Sequence, residues 1–200
     1  MVTIFARFIS FIFNPYFLLV PIPYLLVLRQ TGDPIAAIKW TLFSMGFLGA
    51  VGLLVYIFVK KGYFTDLDIS KREQRPLFFL MITLFAILYF VGLFYFQGPM
   101  VLYVSLIGIF ISLLLFSFLS SKVKASIHVA TITAMIFSLS LLYNGKFLLL
   151  LFLIPLIAWS RVKIQRHTKR EVFVGGVLGL AIPLVMFVLF KVVLNISLSL

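Results

Sequence analysis

Cysteine is absent, acidic side chains number five, and histidine occurs twice in 200 residues. Without a thiol there is no disulfide framework, no thiolate zinc site and no cysteine nucleophile. Only Asp33, Asp66 and Asp68 are aspartates. Membrane prenyltransferases use two aspartate-rich motifs and alcohol phosphotransferases a longer spaced set, so both classes fit poorly. The chain also lacks an internal repeat, a low-complexity tract and a polar linker, which predicts one domain over 1–200. Basic loops are short and free of interleaved aromatics, a pattern that does not suit a nucleic-acid groove.

What is present is apolar. Hydrophobic residues make up 64% of the chain, charged residues 11%, and there are 24 phenylalanines. A soluble domain of this size has too little interior to hide that surface, so the bilayer is the expected solvent. Seven apolar runs fall at about 8–28, 40–59, 76–96, 100–119, 127–143, 147–159 and 172–194. They predict an all-α, polytopic membrane bundle of six to seven transmembrane helices. The sixth run is short for a crossing, which sets the lower count. Asn14-Pro15 and Pro21-Ile22-Pro23 should bend or split the first run, because proline removes an amide donor and disfavours helix just before it. That run carries Arg7 and no small-residue cleavage site after it, and is read as a retained span. Gly175 with Gly179, and Gly46 with Ala50, are small-residue pairs at helix-contact spacing. Trp40 and Trp159 read as interfacial anchors.

Gln97-Gly98-Pro99 and Tyr143-Asn144-Gly145 read as tight turns that close two helical hairpins. Going up one hairpin and down the next returns the chain to one face. The polar stretches 60–75, 120–126 and 160–171 should therefore share it. Thirteen basic residues fall there: Arg7, Lys60, Lys61, Lys71, Arg72, Arg75, Lys122, Lys124, Arg161, Lys163, Arg166, Lys169 and Arg170. Arg29, Lys39, Lys146 and Lys191 fall on the other side. The positive-inside rule then puts the clustered face in the cytoplasm, with the inner (plasma) membrane as the expected location. Setting aside Lys71, Arg75, Lys124 and Arg161 as ligand-binding candidates leaves nine against four, and the orientation stands. The net charge of +12 also suits attraction to anionic headgroups.

Both histidines sit in these clusters. His167 and Glu171 are four apart, on one face if helical. A carboxylate bonded to one imidazole nitrogen fixes the tautomer, frees the other nitrogen to attack, and stabilises the imidazolium. Arg161 lies six residues earlier and can fork onto phosphate oxygens. Ser126 and His128 open the fifth span, where helical amides favour an anion and His128 can protonate a leaving alkoxide. Arg75-Pro76 begins the third. If residues 68–75 are helical, Asp68, Lys71, Arg72 and Arg75 share a side. Each cluster alone also has a plainer reading: a solvated surface pair, a capping serine, a topology-setting loop.

Taken together the clusters resemble the type 2 phosphatidic acid phosphatase and haloperoxidase superfamily, in its integral-membrane lipid phosphatase branch. Its pattern is Lys-x6-Arg-Pro, then Pro-Ser-Gly-His, then Ser-Arg-x5-His-x3-Asp. The third motif is met by Ser160, Arg161 and His167, with Glu171 in place of Asp. The second keeps Ser126 and His128, with Ala125 for Pro and Ile127 for Gly. The first keeps Arg75-Pro76, but Asp68 stands where the family has Lys. The resemblance covers about 65–180 and leaves the first span outside.

That resemblance implies metal-independent hydrolysis of a lipid phosphate or isoprenyl (di)phosphate, with no cofactor. By analogy His167 attacks phosphorus, Glu171 orients it, and His128 protonates the departing alcohol and then activates water. Arg75, Arg161 and Ser126 would hold the equatorial oxygens, with Lys71 or Arg72 supplying the cation that Asp68 removes. The departures at Asp68 and Ile127 keep a second reading open, a catalytically silent relative that binds anionic lipid phosphates. A third, Mg²⁺ held by Asp66 and Asp68, has few other ligands in the loop.

Overall fold

The computed structural model describes residues 2–69, 71–120 and 123–189. Lys122 and Lys191, both counted in the charge balance, lie outside the described residues. Among those described, the structure is helical and holds no strand. The helices are α1 (Val2–Ile12), α2 (Pro15–Leu18), α3 (Ile22–Thr31), α4 (Pro34–Lys60), α5 (Arg75–Tyr95), α6 (Met100–Ser120), α7 (Ile127–Leu142), α8 (Leu153–Lys163) and α9 (Lys169–Val188). Short 3₁₀ turns at Arg72–Gln74 and Lys146–Leu150 precede α5 and α8.

Local chemistry sets the boundaries. The Asn14 side chain accepts from the Tyr16 amide at 3.0 Å and Pro15 starts α2, so the first run breaks where its proline stands. The axis bends by 41° between Val2–Ile12 and Pro15–Thr31. Gly32, at φ 67°, ends α3, and the Asp33 carboxylate accepts from the Ile35 amide at 2.8 Å to begin α4. Both expected hairpin turns form, with Gln97 at φ 53°, Asn144 at φ 51° and Gly145 at φ 76°. Beyond them, Arg29 Nε donates to the Leu142 carbonyl at 2.7 Å and the Tyr143 hydroxyl to the Leu25 carbonyl at 2.7 Å. The first satisfies the last carbonyl of α7, and the second ties the turn after α7 to α3.

By length and composition, four helical segments can cross a membrane: Pro34–Lys60, Arg72–Tyr95, Met100–Leu119 and Lys169–Val188. The bent pair α1–α3 makes a fifth if it counts as one span. Every apolar run of the sequence is at least partly helical, yet the expected six to seven full-length spans are not all present. At 1.5 Å per residue, α7 with 16 residues and α8 with 11 fall short of a hydrocarbon core about 30 Å thick. Leu42, Phe94, Leu114 and Phe173 point outward, and α4 buries only 6% of its apolar window. That is the surface of a chain whose solvent is lipid.

Helix α7 is the axis of the bundle. Its buried positions, among them Val129, Ala130, Ile132, Thr133, Ile136 and Leu139, lie on more than one face. Ile9, Ile132, Ile136, Ile157 and Val172 gather α1, α7, α8 and α9 into one apolar cluster. Gly175 and Gly179 let α9 lie directly on α7: a β-carbon at 175 would be 2.5 Å from the Ser126 carbonyl oxygen, and one at 179 would meet Ala130 and Thr133. Gly46 and Ala50 do not repeat this. Both are exposed, and a β-carbon at Gly46 meets nothing within 4 Å. Trp40 likewise departs from its expected place at the interface. It is buried in the core against Phe43, with Lys39 Nζ 5.5 Å from its ring centroid.

Candidate functional site

The three polar stretches meet around the N-terminus of α7. Helix α8 ends at Lys163, and Gln165 turns the chain at φ 57°. The amides of Arg166 and His167 then donate to the Arg161 carbonyl at 3.1 and 3.3 Å, which folds His167 back under the helix end. Thr168 starts α9 with a reciprocal cap. Its hydroxyl accepts from the Glu171 amide at 3.3 Å, and Glu171 Oε2 accepts from the Thr168 amide at 3.1 Å. The same Oε2 lies 3.1 Å from His167 Nδ1. Glutamate suits both duties, because its reach serves the cap and the ring together.

His167 Nδ1 is also 3.1 Å from the Lys124 carbonyl. A carbonyl only accepts, so Nδ1 carries the proton and the lone pair sits on Nε2. The side chain is buried, at 4% exposure. Burial, with the charges of Arg161 and Lys124, lowers its pKa to about 4 against the raising effect of Glu171. His167 is therefore neutral at pH 7.

The Ser126 amide donates to the Glu171 carbonyl at 3.0 Å, tying the start of α7 to the same turn of α9. Ser126 is the N-cap residue of α7, yet its hydroxyl makes no capping bond; Oγ is buried and unpartnered. His128, also buried, accepts from Arg161 Nη1 through Nε2 at 3.5 Å. Arg75 is 2% exposed, and Nη1 donates to the Ala125 carbonyl at 3.4 Å while Nε has no partner. Buried polar atoms of this kind normally have partners, and Ser126 Oγ and Arg75 Nε have none.

Arg161 is the most heavily engaged group. Nη1 and Nη2 each donate to Asp68 Oδ2 at 3.0 Å, and Nη1 donates to Ser10 Oγ at 2.6 Å. Burial alone would raise the Asp68 carboxyl, but Arg161 and the neighbouring positive groups outweigh it and hold the pKa below the usual value. Asp66 pairs with Arg166 at 3.8 Å. A cleft of about 540 Å³ lies against this group, lined by Arg7, Ser10, Asn14, Asp68, Arg161 and Arg166 among others. Neither histidine lines it; Arg161 bridges the cleft and His128.

His167, Glu171, His128, Ser126, Arg75 and Arg161 thus come together as the sequence suggests. Lys71 does not. It is exposed before the 3₁₀ turn, and its side chain makes no hydrogen bond or ion pair among the described residues. Residues 68–75 are not one helix either: Ile69 adopts φ 47°, and among the described residues of this stretch only Arg72–Gln74 coil before α5. Lys124 stands closer to the expected cation role. Its Nζ donates to the Arg166 carbonyl at 3.2 Å. Burial and then the charge of Arg75 lower its pKa, with Glu171 opposing them. Ser160 is structural, its hydroxyl donating to the Ile157 carbonyl at 2.8 Å. Ser10 comes from the first run, outside the 65–180 core expected to hold the site. Arg7 and Ser10 are spaced i, i+3 on α1, a one-face pair that was readable in the sequence, and Asn14 follows at the break.

Thr168→Ala is expected to lose about 1 kcal/mol of stability, the usual worth of an N-cap hydroxyl. It should also weaken any function that needs Glu171 fixed. Thermal melting in detergent checks the first effect, and turnover the second.

No protein-family model, no curated protein and no solved structure matches this chain.

Proposed function

We propose that this chain is an integral-membrane lipid phosphatase of the type 2 phosphatidic acid phosphatase kind. In this reading it hydrolyses a membrane lipid phosphate or isoprenyl (di)phosphate without a metal. The observation that carries it is the His167 ring: Nδ1–H is held by Glu171 and the Lys124 carbonyl, so Nε2 is the free lone pair. In the first step Nε2 forms the N–P bond as the P–O bond to the lipid breaks, and His128, having taken a proton from solvent as the phosphate dianion binds, gives it to the leaving oxygen. In the second, water attacks the phosphohistidine, His128 takes its proton, and inorganic phosphate leaves. Arg75, Arg161 and the unpartnered Ser126 hydroxyl serve the equatorial oxygens, where negative charge gathers. Lys124 takes the cation role first given to Lys71.

The fold reading that goes with this function has six or seven crossings. Helix α7, and α8 with its preceding 3₁₀ turn, complete short passages inside the bundle, where neighbouring helices stand in for lipid. The basic excess favours the cytoplasmic face for the site.

One observation favours a second reading, a silent relative that binds anionic lipid phosphates: Asp68 already occupies Arg161. The decisive experiment is phosphate release in detergent with EDTA, over a panel of lipid phosphates and isoprenyl diphosphates. Release should persist in EDTA and vanish in both His167→Ala and His128→Ala. No release above those variants on any substrate would favour the silent binder. Release abolished by EDTA would point to Asp66 and Asp68 holding magnesium.

A further inference from the structure

Arg161 reaches both the cleft and His128, and its terminal nitrogens are already taken. A carboxylate and a phosphoryl dianion offer a guanidinium the same thing, oxygens sharing negative charge at hydrogen-bond distance. Both cannot hold one edge at once. We propose that Asp68 is an internal competitor for the phosphoryl group: it covers the edge of Arg161 that a phosphate must grip, so binding exchanges one anion for the other. The proposal rests on reading this as a phosphate site.

The burial of the pair fits an exchange. The Asp68 side chain is 23% exposed and that of Arg161 3% exposed, so the carboxylate stands on the accessible side and the guanidinium behind it. Asp68 also lines the cleft, whose lining includes the cation Arg7. The arginine cannot follow, because Ser10 Oγ takes Nη1 at 2.6 Å. With its pKa held low, Asp68 stays ionised through neutral pH, and protonation does not clear the edge.

The competitor has a selective consequence. Apparent affinity falls by the fraction of time the edge is free, and only an anion that outbids a carboxylate gains it. A phosphomonoester head carries close to two charges at neutral pH, whereas a phosphodiester carries one. Asp68 would therefore admit the monoester and keep out the diester headgroups of the surrounding bilayer. Asp68 is on this view a specificity-determining residue.

The test is binding to the full chain in neutral detergent, for the natural sequence, Asp68→Asn and Asp68→Glu. The probes are inorganic phosphate, phosphatidic acid as a monoester and phosphatidylglycerol as a diester. Asp68→Asn is expected to bind inorganic phosphate roughly tenfold tighter or more, and to lose discrimination against the diester. Asp68→Glu should resemble the natural chain. Because Asp68→Asn leaves a buried guanidinium unpaired, its melting temperature should fall and be restored saturably by phosphate. A response to phosphatidic acid larger than to inorganic phosphate would assign the anion to a lipid head. Equal affinity in the natural chain and Asp68→Asn, or a lower melting temperature that phosphate leaves unchanged, overturns the proposal. With His167-dependent hydrolysis intact, that failure is confined to Asp68. If no chain binds or releases phosphate, the phosphatase reading falls with it.

Discussion

Gly179→Ala is expected to break the packing of α9 on α7. The added methyl would run into the Ala130 carbonyl oxygen and lie 2.8 Å from the Thr133 β-carbon. The first of these is backbone, which cannot rotate aside as a flexible side chain would. Overpacking a core usually costs about 1–3 kcal/mol, and a backbone clash between two helices belongs at the upper end. The melting temperature in detergent should drop by roughly 6 °C or more. Gly175→Ala should add a functional defect, because its methyl would lie 2.5 Å from the Ser126 carbonyl oxygen and displace the start of α7 from Glu171. Gly176→Ala, on the same helix, meets only a Val129 methyl at 3.8 Å and is the control. It should be neutral or gain up to about 1 kcal/mol from helix propensity. Equal melting of Gly179→Ala and Gly176→Ala would refute the close approach.

The contrast between Gly179 and Gly46 shows where sequence reading reaches and where it stops. Both sit in small-residue pairs at the same spacing, and only one pair faces a helix. Spacing says that two residues share a face; it does not say what lies opposite. The breaks at Asn14-Pro15, Gly32 and Asn144-Gly145 were legible because each follows from local backbone chemistry. His167 with Glu171 was legible as a local pair four residues apart, although His167 stands just before the Thr168 cap and not on α9 itself. Hairpin parity brought the three polar stretches together without any tertiary information. The partners of Arg161 were not legible: Ser10 is 151 residues away and Asp68 is 93, so only the folded bundle sets their contacts. Ile69 belongs with them, a buried β-branched residue at φ 47°, a conformation such residues rarely adopt. Trp40 misled because amphipathic aromatics at a span end usually mark the interface, and here the core claims it.

Glu171→Gln is expected to lower turnover by roughly 10²–10⁴-fold, the scale seen when the carboxylate orienting a catalytic imidazole is neutralised. The amide is the same size and can keep the helix cap, so a fold defect is not the expected cause. What it removes is the negative charge beside Nδ1, needed most as the ring becomes cationic at phosphorus. Glu171→Asp should lose less if the shorter carboxylate still meets the ring. The acid limb of the pH profile gives a readout that a purely structural role would not move. His167, with a pKa of about 4, has its Nε2 lone pair free throughout the neutral range, and activity should fall only as protonation sets in. Glu171 raises that value, so its loss moves the limb to still lower pH even as the rate collapses. The stability of the natural chain follows the same linkage with a fixed sign. The folded ring binds protons more weakly than an unfolded one near 6.5, so its contribution is full above that pH and lost as pH falls toward about 4. Single-turnover phosphate release from about pH 3 to about pH 8 tests the limb and its shift, and thermal melting over the same range tests the linkage. An unshifted limb with a modest loss of rate would leave Glu171 as a capping residue and require a different orienter for His167.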